Sequence, residues 1–383
     1  MTAADAVGGG DPLAHFRIRR TDPRCGARLG CLRTAHGDVE TPNFMPVATQ
    51  GTVKGLTPAQ LVEAGAQILL ANAYHLSLRP GVETIEALGG LHRLMGWPGP
   101  ILTDSGGYQV FSLAPLRAVN DDGVEFRSHL DGSKRFFRPE DVVALQARMG
   151  VDVLMPLDEC VAAGSERSRV EEAMRRTTAW AIRSLACLPE GRLLFGIVQG
   201  GLFADLRRGH AGELAACEFP GYAVGGLSVG EERAVTHDIA AGTAAALPQG
   251  KPRYLMGVGL PQEILRFIGM GYDLFDCVLP TRNGRNGSCF TWSGRVNLRL
   301  ARHAAADRPL DESCACYTCR TFPLAYLRHL AVSGEMLGAQ LASLHNVHFY
   351  LDLVRQARDH VLDGDYAEWS QGAARRLEDA ERA

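Results

Sequence analysis

From about residue 43 to residue 280, short apolar runs alternate with longer stretches in which apolar side chains recur every three or four positions. The runs are Asn43–Val47, Gln67–Ala71, Ile101–Thr103, Val151–Leu157, Leu193–Val198, Tyr222–Val224, Arg253–Met256 and Leu274–Leu279. Near-continuous apolar runs of this length predict strands buried on both faces, as in a parallel sheet. The stretches between them predict helices. Thr57 followed by Pro58 is a helix start. Glu166–Leu188 carries Val170, Met174, Thr177, Trp180 and Ile182 along one broad face. Pro139–Met149, Leu202–Cys217, Glu231–Leu247 and Pro261–Met270 fit the same role. Eight strands alternating with helices predict an α/β fold, a (β/α)8 TIM barrel. A doubly wound open sheet is the competing architecture, but no Gly-rich phosphate fingerprint follows the first strand.

Around this alternation the pattern changes. Residues 16–47 are short polar and apolar pieces punctuated by Gly26, Gly30 and Gly37, which predicts an N-terminal antiparallel β segment. Tyr108–Phe137 reads as a partly β-like insertion after the third strand. The expected boundaries are a disordered tail at 1–11, the barrel with its N-terminal β segment at 12–280, a cysteine-bearing subdomain at 281–365 and a C-terminal helix or tail at 366–383.

The polar and glycine clusters fall at the carboxyl ends of the strands: Asp104-Ser-Gly-Gly-Tyr-Gln109, Asp158-Glu-Cys160, Gln199-Gly-Gly201, Gly225-Gly-Leu-Ser228, Gly257-Val-Gly259 and Asp276. In a barrel those ends share one face, where active sites lie. Any one of them reads equally as a helix cap or loop stabiliser. Asp104, Asp158, Gln199, Gly226 and Asp276 at equivalent positions make a shared polar pocket the better account. Asp276 lies within an apolar run, where a carboxylate costs free energy unless it is paired, hydrogen-bonded or used. Pro280 closes that strand, and Arg282 and Arg285 follow in what reads as a Gly/Asn-rich loop.

The bulk numbers alter the picture in two places. A formal net charge of −3 gives no global sign of a nucleic-acid partner, so any such site is a local patch. One patch exists: no acidic residue occurs between Cys277 and Ala306, while Arg282, Arg285, Arg295, Arg299 and Arg302 lie there with Phe290 and Trp292. Guanidiniums suit phosphates and rings suit unpaired bases, which favours RNA over a merely solvated strand edge. The chain starts without a signal-peptide pattern and has no bilayer-spanning run, so the expected location is cytoplasmic, with no membrane partner. Ten cysteines in such a chain do not suggest a disulfide framework. Three of them, Cys314, Cys316 and Cys319, crowd into six residues, with His345 and His348 on a later helical segment, Gly338–Val354. Three thiolates and a histidine match a closed structural zinc site. Spacing alone does not choose between the two histidines.

These residues resemble the tRNA-guanine transglycosylase family, the queuine tRNA-ribosyltransferases, of bacterial type. The similarity runs from Gly26 to about Leu353. It rests on Thr41–Gly55, Ala71–Gly81, Leu102–Phe111, Tyr222–Glu231, Arg253–Gly259, Phe275–Arg282 and the cysteine cluster with His345-Asn346. The resemblance implies a pentosyltransferase acting in queuosine biosynthesis. It would exchange the wobble guanine (position 34) of GUN-anticodon tRNAs for a free 7-deazaguanine base, preQ1 in the first place and free queuine as the alternative. Asp276 would be the nucleophile and Asp104 the general acid/base. Ser105, Tyr108, Asp158, Cys160, Gln199, Gly226, Leu227 and Met256 would line the base pocket, and Arg282 and Arg285 would grip tRNA. Cys314, Cys316, Cys319 and His345 would hold one structural Zn2+, leaving His348 as a helix-surface residue. A homodimer would form through the zinc region, with Phe322, Tyr326 and His329 among its aromatics. A non-catalytic tRNA-binding subunit, which would lack one aspartate or a pocket motif, is the rival reading.

Overall fold

A computed structural model of the chain describes residues 15–107, 117–228 and 230–382. Three antiparallel strands open it: β1 (Phe16–Thr21), β2 (Arg28–Thr34) and β3 (Gly37–Thr41). Eight strands then close into a barrel: β4 (Asn43–Ala48), β5 (Leu69–Asn72), β6 (Ile101–Asp104), β10 (Val153–Leu154), β11 (Leu193–Val198), β12 (Gly221–Val224), β13 (Arg253–Leu255) and β14 (Leu274–Cys277). Between β6 and β10 lies a three-stranded antiparallel insertion, β7 (Arg117–Asn120), β8 (Gly123–Arg127) and β9 (Lys134–Phe137). A hairpin, β15 (Ser288–Thr291) and β16 (Gly294–Asn297), follows the barrel. All barrel pairs are parallel, and β14 closes the ring on β4 with Asp276 opposite Met45.

The barrel interior is a packed core, not a pore. Met45, Leu70, Leu102, Val153, Phe195, Ile197, Ala223, Tyr254 and Leu274 fill it, all buried. Such filling by inward side chains is what a barrel of eight strands requires. A second apolar layer lies between strands and helices, with Phe44, Trp180, Tyr222, Phe275 and Tyr350 among its largest members. One buried ion pair ties the N-terminal sheet to the barrel floor. Arg28 reaches Asp273 at 2.9 Å (Nε to Oδ1) and at 2.5 Å (Nη2 to Oδ2), and the Arg253 N–H donates to the same carboxylate at 2.7 Å.

Two expectations need correction. The stretch after Asp276 is not a loop: the strand ends at Cys277, and Leu279–Arg285 is a helix. Pro280 sits in its first turn, where its fixed φ favours a helix. Glycine weakens a helix by propensity, but Gly284 serves packing here. A Cβ at Gly284 would come within 2.6 Å of the Ser343 backbone, so glycine lets this helix lie directly on the long helix Met336–Asp363. That long helix also extends well past the expected Gly338–Val354. His348 is the second correction. It is partly buried, not a plain surface residue, and its Nδ1 lies 3.5 Å from the Cys314 sulfur. Among the described residues, no helix is long and apolar enough to cross a membrane.

Candidate active site

Asp276 sits at the carboxyl end of β14 and lines a cleft of about 490 Å³ together with Glu231, Gly257, Leu260, Val278 and Arg282. The Tyr254 hydroxyl donates to its Oδ1 at 2.6 Å, and the Gly257 N–H donates to the same oxygen at 2.7 Å. Burial raises the Asp276 pKa above the usual carboxylate range, against the pull of these two donors. Burial and the adjacent Asp276 push the Tyr254 phenol well above its usual value, so it stays a donor. Oδ2 accepts no hydrogen bond among the described residues. The carboxylate is thus oriented through one oxygen and open through the other.

Asp104 ends β6, opposite Asn72 in register on β5. Asn72 does two jobs. Its amide nitrogen donates to Asp104 Oδ2 at 3.1 Å, and its oxygen caps the helix Ala73–Leu78 by accepting the His75 N–H at 3.1 Å. The following turn demands glycine. Gly106 has φ +88°, and a Cβ there would lie 2.3 Å from the Tyr74 Cβ; a Cβ at Gly107 would lie 2.5 Å from Asp158 Oδ1. Asp158 follows β10 and is buried. Desolvation, then the charge of Asp104, pushes its pKa up to about 7, against a 2.7 Å hydrogen bond from Gln199 Nε2 to Oδ2. Asp104 likewise raises the Tyr254 phenol, so all three carboxylates act on one small volume.

Gln199 is fixed from behind. Its backbone N–H donates to Nδ1 of buried His210 at 2.9 Å, and burial lowers the His210 pKa to about 4, so the ring is the neutral acceptor this bond needs. Fully buried Arg207 donates to the carbonyls of Gly201 (2.8 Å), Gly225 (2.9 Å) and Gly226 (3.1 Å), clamping the loops after β11 and β12 together. Gly226 has φ +65°, and a Cβ there would lie 2.6 Å from Gln199 Oε1. Leu227 is buried beside it. Glu159, next to Asp158, is buried against Arg169 and Arg176 of the helix Arg167–Ala186, and its N–H donates to Thr177 Oγ1 at 3.0 Å.

Ser105 is fully buried, its Oγ accepting the Gly107 N–H at 3.3 Å. Met256 is half-buried after β13. Cys160 is half-buried too; burial, then Asp158, lifts its thiol to about 12, which keeps it a neutral lining group. Tyr108 lies outside the described residues.

Asn72, Tyr254, Arg207 and His210 were not singled out from sequence. Two of these signals were there to read. Tyr254 shares strand parity with Met256, and Arg207 and His210 stand on the otherwise apolar stripe of their helix, Ala204–Ala215, with Ala211 and Leu214.

Arg282 and Arg285 are exposed on the helix Leu279–Arg285, one turn apart, with Arg282 on the rim of the Asp276 cleft. Arg295, Arg299 and Arg302 are exposed as well, and none of the five is in an ion pair among the described residues. Arg295 lies over the Phe290 ring at 5.6 Å.

Behind this surface, Cys314, Cys316, Cys319 and His345 place one ligand atom each within 4.8 Å of one another. The three sulfurs lie 3.6, 3.6 and 3.3 Å from His345 Nδ1. Tetrahedral bonds of about 2.3 Å to sulfur and 2.0–2.1 Å to nitrogen leave S and N about 3.6 Å apart, so the set fits a four-coordinate metal ion. His345 Nε2 donates to the Phe290 carbonyl at 2.7 Å, which leaves Nδ1 free of its proton for the ion. Neighbouring Asn346 donates to the Pro280 (2.9 Å) and Ser288 (3.0 Å) carbonyls and accepts the Phe290 N–H (2.9 Å). His345 and Asn346 thereby tie the helix that carries them to the arginine helix and the hairpin after it.

The model of one protein family, described as queuine tRNA-ribosyltransferase, matches residues 22–379. Curated proteins named queuine tRNA-ribosyltransferase align along nearly the whole chain. That of Solidesulfovibrio magneticus is 53% identical over 344 residues, 89% of this chain and 92% of the relative. That of Oleidesulfovibrio alaskensis is 51% identical over 93% of this chain and 95% of its own. That of a Thermoanaerobacter strain is 50% identical over 90% and 93%.

Proposed function

The chain belongs to the queuine tRNA-ribosyltransferase family, as a tRNA-guanine transglycosylase and pentosyltransferase of queuosine synthesis, and from that premise we propose how its residues divide the work. The wobble guanine of a GUN-anticodon tRNA is displaced by Asp276, and a 7-deazaguanine, preQ1, displaces Asp276 in turn. The observation that carries this reading is the one-sided holding of Asp276. Tyr254 and Gly257 fix Oδ1 of this cleft-lining residue, which leaves Oδ2 for attack at the ribose C1′.

The bond to the leaving base breaks through an oxocarbenium-like state, which a carboxylate stabilises and then captures. Asp104 gives the proton to the departing guanine and takes one from the incoming base. Two displacements at one carbon retain configuration. Asp158 and Gln199 take the donor and acceptor edge that guanine and a 7-deazaguanine share, which explains how one pocket serves both. The loops clamped by Arg207 keep water from the covalent intermediate, whose hydrolysis would leave an abasic tRNA. An anticodon loop offers an unpaired base, so extrusion costs little. Arg282 and Arg285 hold its phosphates.

The metal in this reading is Zn2+, held by Cys314, Cys316, Cys319 and His345. It supplies structure only, as closed four-ligand sites do. Two copies pair through the region around Phe322, Tyr326 and His329, whose rings stack in a row with centroids 5.3 and 6.4 Å apart. Sedimentation giving only monomers at micromolar concentration would remove that part.

Incubation with labelled guanine and a GUN-anticodon tRNA should move label into the tRNA. No exchange with any anticodon would overturn the reading. In the same assay, preQ1 should outcompete queuine; the smaller aminomethyl base suits a pocket that Cys160, Leu227 and Met256 line. The reverse order would assign queuine. Both carboxylates are present, which speaks against a non-catalytic tRNA-binding subunit.

A further inference from the structure

At the amino ends of the strands, on the opposite side of the barrel from Asp276, two histidines and one aspartate converge. We propose that His36, His92 and Asp152 form a second metal site, for a borderline divalent transition cation such as Zn2+. His36 lies in the turn between β2 and β3, His92 in the short helix Leu91–Met95, and Asp152 immediately before β10.

One ligand atom from each lies within 4.8 Å of the other two. Asp152 Oδ1 is 2.8 Å from His36 Nδ1, and Oδ2 is 3.1 Å from His92 Nε2. The two imidazoles stack, with centroids 3.6 Å apart and planes at 15°, so their nitrogens approach the carboxylate side by side. The Asp152 side chain is fully buried, that of His92 is 12% exposed and that of His36 36%. A cation could enter from the His36 side and keep one or more waters.

A simple ion pair accounts for this arrangement less well. The carboxylate is already held by two backbone donors, Ile101 N–H at 2.9 Å and His36 N–H at 3.1 Å. Neutral imidazole, with a lone pair on one ring nitrogen, is the metal-binding form of histidine. The outward nitrogens, His36 Nε2 and His92 Nδ1, have no hydrogen-bond partner among the described residues. As the tautomer with its proton on that outward nitrogen, each ring turns a lone pair inward. Two imidazoles and one carboxylate with open positions suit a first-row divalent ion better than Mg2+ or Ca2+, which prefer oxygen ligands. The ion would staple the β2–β3 turn and the Leu91–Met95 helix to the barrel floor, away from the exchange chemistry.

The test is a zinc count on the full-length protein after dialysis against excess Zn2+ and then metal-free buffer. Wild type should hold two ions per chain, His36→Ala one, and Cys319→Ser one. His36 is in an exposed turn, so His36→Ala should fold and keep full base-exchange activity. Added Zn2+ or Ni2+ should raise the wild-type Tm by several degrees and leave that of His36→Ala unmoved. One ion in wild type, lost only with Cys319→Ser, overturns the second site and leaves the cysteine site standing. Two ions retained in His36→Ala, or a Tm response equal in both proteins, also overturns it.

Discussion

Asp158 is buried and Asp276 half-buried on the cleft, and their neighbours give them different tasks. Asp276 receives two donors on one oxygen and is kept usable as an anion. Tyr254→Phe deletes the 2.6 Å donor. Loss of a bond to the charged form raises the Asp276 pKa, so the acid limb of the exchange rate should move to higher pH, with a fall of about 10–100-fold in kcat/KM at neutral pH. An unmoved acid limb would show that Tyr254 only packs. Asp158 is strained instead, with its pKa pushed up to about 7 from an ordinary 3.8. The folded protein keeps a proton there that the unfolded chain releases. Stability is therefore lost as pH rises from about 4 through 7. Asp158→Asn should abolish exchange yet raise Tm, with the gain absent near pH 4 and on the order of 1–4 kcal/mol at pH 8. Thermal melts at both pH values check this; an equal gain at each would contradict it.

The strands and most helices of the barrel were legible because each buries an apolar run or stripe; Leu193–Val198 is a strand over just those residues. Val151–Leu157, by contrast, forms a strand only at Val153–Leu154, because the Met155 N–H and carbonyl are taken by the Gln146 side chain (3.0 and 2.8 Å) and Pro156 lacks an N–H for the ladder. The helix Leu279–Arg285 was not legible either. Its Gly and Asn residues argue for a loop, and only the contact of Gly284 with the Met336–Asp363 helix explains the outcome. Candidate residues on strand ends could be found by position, whereas the role of Asn72 depends on Asp104, 32 residues on, which only the closed barrel sets beside it. The cysteine–histidine set is linked to these elements through His345 and Asn346. Cys319→Ser should lose the bound zinc, lower stability by several kcal/mol, and weaken tRNA affinity more than base affinity, since what it braces is the arginine helix. Metal analysis, melts and separate KM values for tRNA and base check it; an unchanged Tm with no metal bound would contradict it.

Across the whole molecule the two ends of the barrel divide the roles. The carboxyl ends gather Asp104, Asp158 and Asp276 beside an arginine surface, and the amino ends carry the Arg28–Asp273 and His36–His92–Asp152 clusters that close the floor. A net charge of −3 and a patch of five arginines outside any ion pair among the described residues are compatible because the patch is local. The central claim is that Asp276 Oδ2 bonds to the ribose while the bases are exchanged. A denaturing gel of the enzyme mixed with a GUN-anticodon tRNA tests it most directly. Wild type should give a band of protein joined to tRNA that added guanine or preQ1 discharges, and Asp276→Asn should give none while still binding tRNA. An adduct formed by Asp276→Asn, or exchange at the wild-type rate without any adduct at Asp276, would contradict the account.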